Sequence, residues 1–197
     1  MPSKTIAITG GIGSGKSEVS RIIRSLGYPV YDMDEIYSSL LKKYEFLQKV
    51  CEILKVFPIR VNDGEWTFDH REAAKNAFKD ESIKNRLDEF THPEILKEFK
   101  RLSKAERGAV FCEVPLYYES GLSNQFDSAL VVIRPLADRI ESVKLRGLTE
   151  EEIRLRIENQ FDYTNFVPDE HTIVIENVKD LNELEARVKS AVEKVVK

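Results

Sequence analysis

The feature that most constrains the fold of this chain is a glycine-rich stretch near its start. Residues 9–17 are "TGGIGSGKS", and the apolar run "TIAI" comes directly before them. Glycine at this density suits close approach of the backbone to a ligand. Residues 10–17 match the pattern G-x-x-x-x-G-K-[ST], and the apolar residues that come after them have helical spacing. A strand, a glycine loop and a helix in this order predict an α/β fold with a phosphate-binding loop.

Each part of this loop has a physical task in binding a nucleotide. Successive backbone N–H groups surround the β-phosphate, and the positive end of the helix dipole adds to them. Lys16 reaches the β- and γ-phosphate oxygens, and the Ser17 hydroxyl can bind Mg²⁺. We therefore expect ATP and Mg²⁺ as cofactors. The expected nucleotide-binding residues are Gly11, Gly13, Ser14, Gly15, Lys16, Ser17 and Glu18, the last through its backbone N–H.

Short β-branched runs alternate with longer amphipathic segments along the chain, which is typical of a parallel sheet with crossover helices. Strands are predicted at residues 5–9, 29–32, 109–114, 128–133 and 171–177. The fold class is a three-layer α/β core with a central parallel sheet, a helical substrate subdomain and a short helical lid. As a single domain, it divides into a core (about 1–34, 108–138 and 168–197), a helical subdomain (about 35–107) and a lid (about 139–167).

Local signals subdivide the helical regions. A turn-rich break over residues 57–70 predicts a loop or short hairpin. Thr91 is predicted to cap a new helix, with Pro93 in its first turn and Glu94 completing a capping box. A second capping box is predicted at Thr149 and Glu152, within the lid.

Composition excludes several classes of partner. With 30 Lys and Arg against 34 Asp and Glu, the net charge of −4 argues against a broad nucleic-acid or anionic-membrane surface. No apolar run approaches the length of a membrane span. The two cysteines have no metal-ligand spacing and suit a reducing compartment. We expect a cytoplasmic monomer or small homo-oligomer with no nucleic-acid or membrane partner.

The loop alone does not separate a small-molecule kinase from a GTPase or a motor ATPase. A GTPase should carry N-K-x-D and D-x-x-G motifs, and neither occurs. Motor ATPases usually have an aspartate at the end of a long apolar strand, whereas the candidate strand here ends "FCEVP". The small size, the helical insertion and the Arg-rich C-terminal third favour a kinase with a lid that closes over the phosphates.

Two carboxylates mark the end of the second strand, in "YDMD". Asp32 and Asp34 lie at the carboxyl end of that strand, where open α/β sheets place their sites. At this spacing both can face a substrate beside the loop. One can orient the acceptor hydroxyl and take its proton, and the other can help to position Mg²⁺. The alternative is that one of them only caps the next helix.

At this point the sequence resembles the dephospho-coenzyme A kinase family along nearly its whole length. The resemblance is carried by "TGGIGSGKS", "LGYPVYDMDEI", "THPEI", "VPLYYESGL", "LTEEEIRLRIENQ" and "DEHTIVIEN". It implies transfer of the γ-phosphoryl group of ATP to the ribose 3′-hydroxyl of dephospho-CoA, with the helical subdomain binding the CoA moiety.

The resemblance also implies roles for individual residues. Asp34 matches the catalytic aspartate, Asp32 its companion, and Asn177 an adenine contact. Lys16 and Arg146 are the other expected catalytic residues, Arg146 by steadying the migrating charge. The expected substrate-binding residues are Asp32, His92, Pro115, Leu116, Glu119, Arg139, Arg156 and Gln160; Ser17 and Asp32 are the expected metal ligands.

Some positions depart from the family pattern or have a plainer explanation. The departures are Glu18, Met33, His70, Arg139, Ser142, Tyr117 and Tyr118. The two tyrosines should make the acceptor wall more polar. His92 equally suits a helix residue packed on Phe90, and Arg156 suits solvated pairs with glutamates. Alternative functions are a nucleoside, nucleotide or shikimate kinase and, from another class, an ATP-dependent binding or assembly module.

Overall fold

The computed structural model describes residues 3–61, 64–145, 147–163, 166–178 and 180–197. The contacts between Cα atoms divide the chain into two compact units. The sheet unit comprises Met1–Asp32 and Ser103–Lys197, and the helical unit comprises Met33–Leu102.

Most strands of the described ranges belong to one sheet. The strands are β1 (Lys4–Thr9), β2 (Val30–Asp32), β3 (Ile59–Arg60), β4 (Trp66–Thr67), β5 (Ala109–Glu113), β6 (Ser128–Ile133) and β7 (Thr172–Glu176). Five of them form the sheet of the sheet unit in the order β2-β5-β1-β6-β7, and each neighbouring pair is parallel. The five strands predicted from the sequence are confirmed, with ends that agree to within one residue.

Helices come between the strands along the chain, in the order expected for crossover connections. They are α1 (Lys16–Ser25), α2 (Met33–Leu41), α3 (Tyr44–Leu54), α4 (His70–Lys79), α5 (Glu81–Ser103), α6 (Leu136–Lys144), α7 (Glu150–Glu158) and α8 (Leu181–Val195), with a 3₁₀ turn at Leu122–Gln125. No helix of the described segments is both long and apolar enough to cross a membrane.

The core of the sheet unit gives the phosphate loop a rigid base. In β1, Ile6, Ala7 and Ile8 have no exposed surface, as expected for a central parallel strand. Helices α1 and α8 pack together and join the apolar side chains of four strands in one cluster. Each fully buried aliphatic side chain contributes roughly 1.5–3 kcal/mol. The end of β1 is therefore firmly held where the loop begins.

The strand order places the loop at the point where open sheets bind ligands. From β1 the chain crosses to β2 on one side, and after β5 it crosses to β6 on the other side. Connections that diverge in this way leave a crevice outside the carboxyl ends of the central strands. The phosphate loop, which comes directly after β1, lies at this crevice.

The helical unit consists of packed helices and a small hairpin. Helix α3 contacts α2 and α4, and the ring of Phe46 meets those of Tyr37 and Phe90. Strands β3 and β4 pair antiparallel, with Ile59 opposite Thr67. The prediction of a loop or short hairpin over residues 57–70 is confirmed as a hairpin, although residues 62–63 at its turn lie outside the described residues.

The predicted helix start at Thr91 is wrong. Helix α5 runs through this position without a break and contains Pro93. The Thr91 hydroxyl donates to the Leu87 carbonyl at 2.8 Å instead of capping a helix. The capping pattern is misleading here because Ile95 and Phe99 continue a buried apolar face beyond the proline, and their burial holds the helix together.

The second predicted capping box is confirmed. The Thr149 hydroxyl accepts from the Glu152 N–H, while the Glu152 carboxylate accepts from the Thr149 N–H at 2.8 Å. Helices α6 and α7 contact each other, and each buries one aliphatic side chain, Val143 and Ile153. The assignment of residues 139–167 as a mobile lid stays a prediction.

Candidate active site

The phosphate loop has the backbone conformation that glycine permits. Gly13 and Gly15 have φ angles of 75° and 97°, in the left-handed region that other residues rarely adopt. Helix α1 begins immediately afterwards, at Lys16. The first N–H groups of a helix have no intrahelical acceptor, so this turn directs donors and the positive helix dipole into the loop. The loop is thus built to bind an anion.

Lys16 and Glu18 occupy different sides of this turn. The Lys16 ammonium donates to the carbonyls of Gly10 at 2.8 Å and Gly11 at 3.3 Å, so its charge lies along the loop. The Glu18 carboxylate accepts from Arg21 at 2.5 Å, and that hydrogen bond lowers the pKa of Glu18. The Glu18 carboxylate is therefore paired along α1, and the expected nucleotide contact through the Glu18 backbone N–H stays a prediction.

A buried carboxylate, Glu113, closes β5 beside the loop. It accepts from the hydroxyls of Ser17 at 3.3 Å and Ser20 at 2.9 Å. Burial raises the pKa of Glu113, and the two hydroxyls and Lys16 oppose that shift. Asp32 faces Glu113 in the strand register and raises its pKa further. Two carboxylates and the predicted metal-binding hydroxyl of Ser17 therefore lie close together.

Asp32 and Asp34 fall in different units. Asp32 is the last residue of β2 and directly precedes α2, which is also the position of a helix cap. Asp34 lies in the first turn of α2, in the helical unit, and its side chain is exposed. The structure thus brings Asp32 to the phosphate loop through Glu113, while the role of Asp34 stays a prediction.

A cavity of about 640 Å³ adjoins the loop within the sheet unit. It is bounded by the loop, the end of β6, α6, the segment after α7 and the end of β7. Of the predicted site residues, it is lined by Gly11, Ser14, Arg139, Gln160 and Asn177. This volume suits a small-molecule ligand. Five sequence-predicted residues from four parts of the chain therefore share one pocket.

Two buried polar atoms at this cavity have no hydrogen-bond partner among the described residues. They are Ser14 Oγ and Arg134 Nε, and both residues line the cavity. Buried polar groups in folded proteins are nearly always paired. Unpaired donors at a cavity next to an anion-binding loop fit a site that is completed by a polar ligand.

The two predicted lid residues at this cavity contact the loop itself. Arg139 Nε donates to the Ile12 carbonyl at 2.9 Å, and Gln160 Oε1 accepts from the Ile12 N–H at 2.7 Å. Burial lowers the pKa of Arg139. Arg156 is exposed on α7, near Glu152, and is not among the described residues that line the cavity. Arg146 lies outside the described residues.

The segment after β5, predicted to form the acceptor wall, is fixed to the segment after α7. Pro115 is half-buried and Leu116 is 44% exposed. Glu119 Oε1 accepts from the backbone N–H of Phe161 at 2.7 Å. The expected increase in wall polarity is wrong for Tyr117: that ring is buried, and its hydroxyl donates to the Ser123 carbonyl at 3.1 Å.

His92 lies in α5, within the helical unit. Its Nε2 is 3.7 Å from the nearest carboxylate oxygen of Asp88, one helical turn earlier. The imidazole is partly exposed. This geometry suits either a surface pair or a substrate contact, so the predicted substrate role of His92 stays a prediction.

Sequence reasoning missed Glu113 and Arg134. The signal for both is their position: each lies at or just beyond the end of an apolar strand that neighbours β1, at the edge of the sheet where the loop lies. In the sequence, the segment "FCEVP" is notable only because it lacks the aspartate that motor ATPases usually have at the end of this strand. Polar residues at the carboxyl ends of buried parallel strands are site candidates whatever their type.

The fold and the loop together define the class of this protein. The five-stranded parallel sheet has flanking helices and a G-x-x-x-x-G-K-S loop between its central strand and the next helix, which is the core of a P-loop nucleotide-binding protein. Solved structures with this fold include a Campylobacter jejuni dephospho-CoA kinase, with a TM-score of 0.63 at 20% identity over 100% of this chain and 99% of that one.

The chain belongs to the dephospho-CoA kinase family, whose family model matches residues 4–183. A Thermus thermophilus dephospho-CoA kinase is 35% identical over 94% of this chain and 88% of its own. The Aquifex aeolicus dephospho-CoA kinase is 31% identical over 92% and 95%. A Thermus thermophilus crystal structure aligns over 100% of both chains, with a TM-score of 0.80 and 29% identity. The resemblance seen in the sequence is confirmed.

Proposed function

We propose that this protein transfers the γ-phosphoryl group of ATP to the ribose 3′-hydroxyl of dephospho-CoA, giving CoA and ADP. The observation that carries the proposal is the phosphate loop beside a ligand-sized cavity, in a chain that the dephospho-CoA kinase family model matches over residues 4–183. This reaction is the final step of CoA biosynthesis.

ATP fits the donor side of the site. The loop N–H groups and the dipole of α1 bind the phosphates, and Lys16 neutralises part of their charge. The unpaired Ser14 Oγ and Arg134 Nε provide further polar contacts. The planar guanidinium of Arg134 at the cavity can also stack on the base. Asn177 lies at the same cavity, at the end of β7.

Mg²⁺ fits the oxygen ligands beside the loop. Mg²⁺ is usually held by one or two carboxylates together with substrate phosphates, and Asp32, Glu113 and the Ser17 hydroxyl provide such oxygens. We propose that Ser17 and Asp32 hold the ion and that Glu113 orients the Ser17 hydroxyl. When bound, Mg²⁺ neutralises charge on the transferring phosphate.

The acceptor side rests on the family resemblance. Asp34 orients the 3′-hydroxyl and accepts its proton, which requires only an ordinary aspartate because phosphoryl transfer depends mainly on positioning and electrostatics. Arg146 steadies the charge of the migrating group. The helical unit binds the CoA moiety and the lid closes over the phosphates. Substrate contacts are proposed for Asp32, His92, Pro115, Leu116, Glu119, Arg156 and Gln160.

We further propose that the enzyme works in the cytoplasm as a monomer or small homo-oligomer, with no nucleic-acid or membrane partner. Its net charge of −4 supports this, because an acidic protein is repelled by polyanions and anionic lipids.

The test is ADP release measured with a panel of acceptors: dephospho-CoA, adenosine, AMP and shikimate. The proposal predicts release with dephospho-CoA alone. Release only with AMP or another panel member would assign a different kinase, and release without any acceptor would indicate an ATP-driven module.

A pair of variants tests the role of Asp34. Asp34→Asn should lose at least about 100-fold in kcat, the range of general-base catalysis, and keep its affinity for ATP. The control is Glu35→Gln, the same charge change at the neighbouring exposed residue of α2. Near-normal turnover of Asp34→Asn would remove its assigned role.

A further inference from the structure

Two side chains from outside the phosphate loop donate hydrogen bonds to loop carbonyls. They come from α6 and from the end of β7, more than 120 residues along the chain. The pairs are Arg139 Nε to Ile12 O at 2.9 Å and Asn177 Nδ2 to Ser14 O at 2.7 Å. The Ser142 hydroxyl lies 3.3 Å from Gly13 O but donates its one proton to the Arg139 carbonyl at 2.8 Å. We call Arg139 and Asn177 the loop brace.

Holding a carbonyl fixes the direction of the next N–H. In a planar trans peptide the C=O of one residue and the N–H of the following residue point in opposite directions. The anchored Ile12 carbonyl therefore turns the Gly13 N–H away from Arg139. In the same way, the anchored Ser14 carbonyl turns the Gly15 N–H away from Asn177.

The glycines of the loop are shaped to receive the brace. A Cβ at Gly11 would lie well under 3.0 Å from the Arg139 guanidinium, and a Cβ at Gly15 would lie well under 3.0 Å from the Asn177 amide. Such distances are not found for real Cβ atoms. The guanidinium is the end of a flexible side chain and can move aside for a Cβ at Gly11, whereas at Gly15 the buried Asn177 amide and the left-handed φ of 97° together require glycine.

The brace residues are themselves held in place. Asn177 is buried, and its own backbone N–H donates to the Ile133 carbonyl at the end of β6 at 2.8 Å. Arg139 is partly buried on α6. Gln160 accepts from the N–H of Ile12, the same residue whose carbonyl Arg139 binds. The anchor points therefore belong to the end of the sheet, to α6 and to the segment after α7.

We infer that Arg139 and Asn177 are positioning residues for phosphoryl transfer, which hold the loop with the Gly13 and Gly15 N–H groups directed at the nucleotide phosphates. Both act through the loop backbone, in contrast to the phosphate and adenine contacts implied by the family resemblance. The inference concerns the nucleotide site of the proposed kinase. It rests on the proposed function only in one respect, namely that a displaced loop should also slow phosphoryl transfer.

Amide hydrogen exchange of the nucleotide-free protein tests the brace without any ligand. In Asn177→Ala, exchange of the Ser14 N–H, which donates to the Gly11 carbonyl within the loop, should accelerate by about fivefold to thirtyfold, the effect of losing one buried hydrogen bond. Exchange in the core of β1 and β6 should not change. The control is Asn124→Ala, an exposed asparagine of the 3₁₀ turn. Unchanged loop exchange in Asn177→Ala would overturn the inference.

Binding of inorganic tripolyphosphate, which has no base, separates a brace from an adenine contact. Titration calorimetry should show that Asn177→Ala weakens the binding of tripolyphosphate and of ATP by the same factor, about fivefold to thirtyfold. The factor should be the same because both ligands bind the loop that Asn177 holds. If ATP binding falls and tripolyphosphate binding does not, Asn177 is a base contact and the inference is wrong. Neither readout requires dephospho-CoA, so both results stand whether or not the proposed reaction is confirmed.

Arg139→Lys provides an independent variant if Asn177→Ala does not fold. Lysine keeps the positive charge but cannot reproduce the Nε bond to Ile12 in the same geometry. Loop exchange should accelerate and tripolyphosphate should bind more weakly. Weaker tripolyphosphate binding with unchanged exchange would make Arg139 a direct phosphate ligand and refute its positioning role. Arg101→Lys, an exposed arginine of α5 paired with Glu98, is the matched control.

Discussion

Replacing Glu113 separates its role as a hydrogen-bond acceptor from its charge. Glu113→Ala leaves the fully buried Ser20 hydroxyl without its acceptor, which costs about 1–3 kcal/mol. The cavity adds about 1 kcal/mol, whereas water can replace the bond to the exposed Ser17. We expect Glu113→Ala to lower the free energy of unfolding by about 2–4 kcal/mol at neutral pH. Glu113→Gln, which keeps the shape and an acceptor oxygen, should change it by no more than about 1 kcal/mol.

The charge of Glu113 gives these variants a distinctive pH dependence. Burial raises the pKa of Glu113 in the folded protein above its ordinary value of 4.5. Between the two pKa values the folded state binds more protons than the unfolded state, so wild-type stability falls as pH rises through this window. The stabilising contribution is complete below 4.5 and is lost above the folded pKa. Glu113→Gln has no such loss, so its stability relative to wild type should increase with pH.

Urea unfolding monitored by circular dichroism, at intervals from about pH 4 to about pH 8, measures both effects. Equal stability of Glu113→Ala and Glu113→Gln at every pH would refute the hydrogen-bonding argument. A constant difference between Glu113→Gln and wild type across the range would refute the assignment of a buried, pKa-raised carboxylate. The hydrogen-bonding argument and the pKa argument are tested separately, because either of these outcomes can occur without the other.

Three further changes test other parts of the structure. Gly15→Ala should abolish detectable ATP binding by calorimetry, because its φ of 97° is strained for alanine and its Cβ would overlap the Asn177 amide; retained binding would contradict the loop geometry. Thr149→Ala should cost about 1 kcal/mol by removing the cap of α7 and should accelerate amide exchange in that helix alone. Pro93→Ala should raise the free energy of unfolding by about 1–3 kcal/mol, since it restores a donor inside α5; a loss of stability in urea titrations would count against a regular helix at that point.

Much of the sheet unit could be predicted from the sequence because its signals are local. The β-branched runs mark buried parallel strands, and the loop motif defines both the turn after β1 and the start of α1. The capping box at Thr149 also has a local physical cause, two reciprocal hydrogen bonds within one turn. The same pattern at Thr91 failed, because the burial of Ile95 and Phe99 outweighs a local start signal and a proline.

The contacts among site residues could not be predicted, because they depend on tertiary distances. Asn177 and Arg139 are expected at the nucleotide on the basis of resemblance, and only the fold shows that each also binds a loop carbonyl. In the sequence, Glu113 is only a glutamate at the end of a strand. Its role depends on its burial beside Ser17, which no local pattern shows. The burial of Tyr117 likewise depends on packing that no local pattern encodes.

The most direct test of the account is the position of the phosphate in the product. Purified protein should be incubated with ATP, Mg²⁺ and dephospho-CoA, and the product characterised by phosphorus NMR and mass spectrometry. The account predicts one added phosphoryl group on the ribose 3′-hydroxyl, with one ADP released for each CoA formed. Phosphorylation at another position, or ADP release with dephospho-CoA left unchanged, would contradict it.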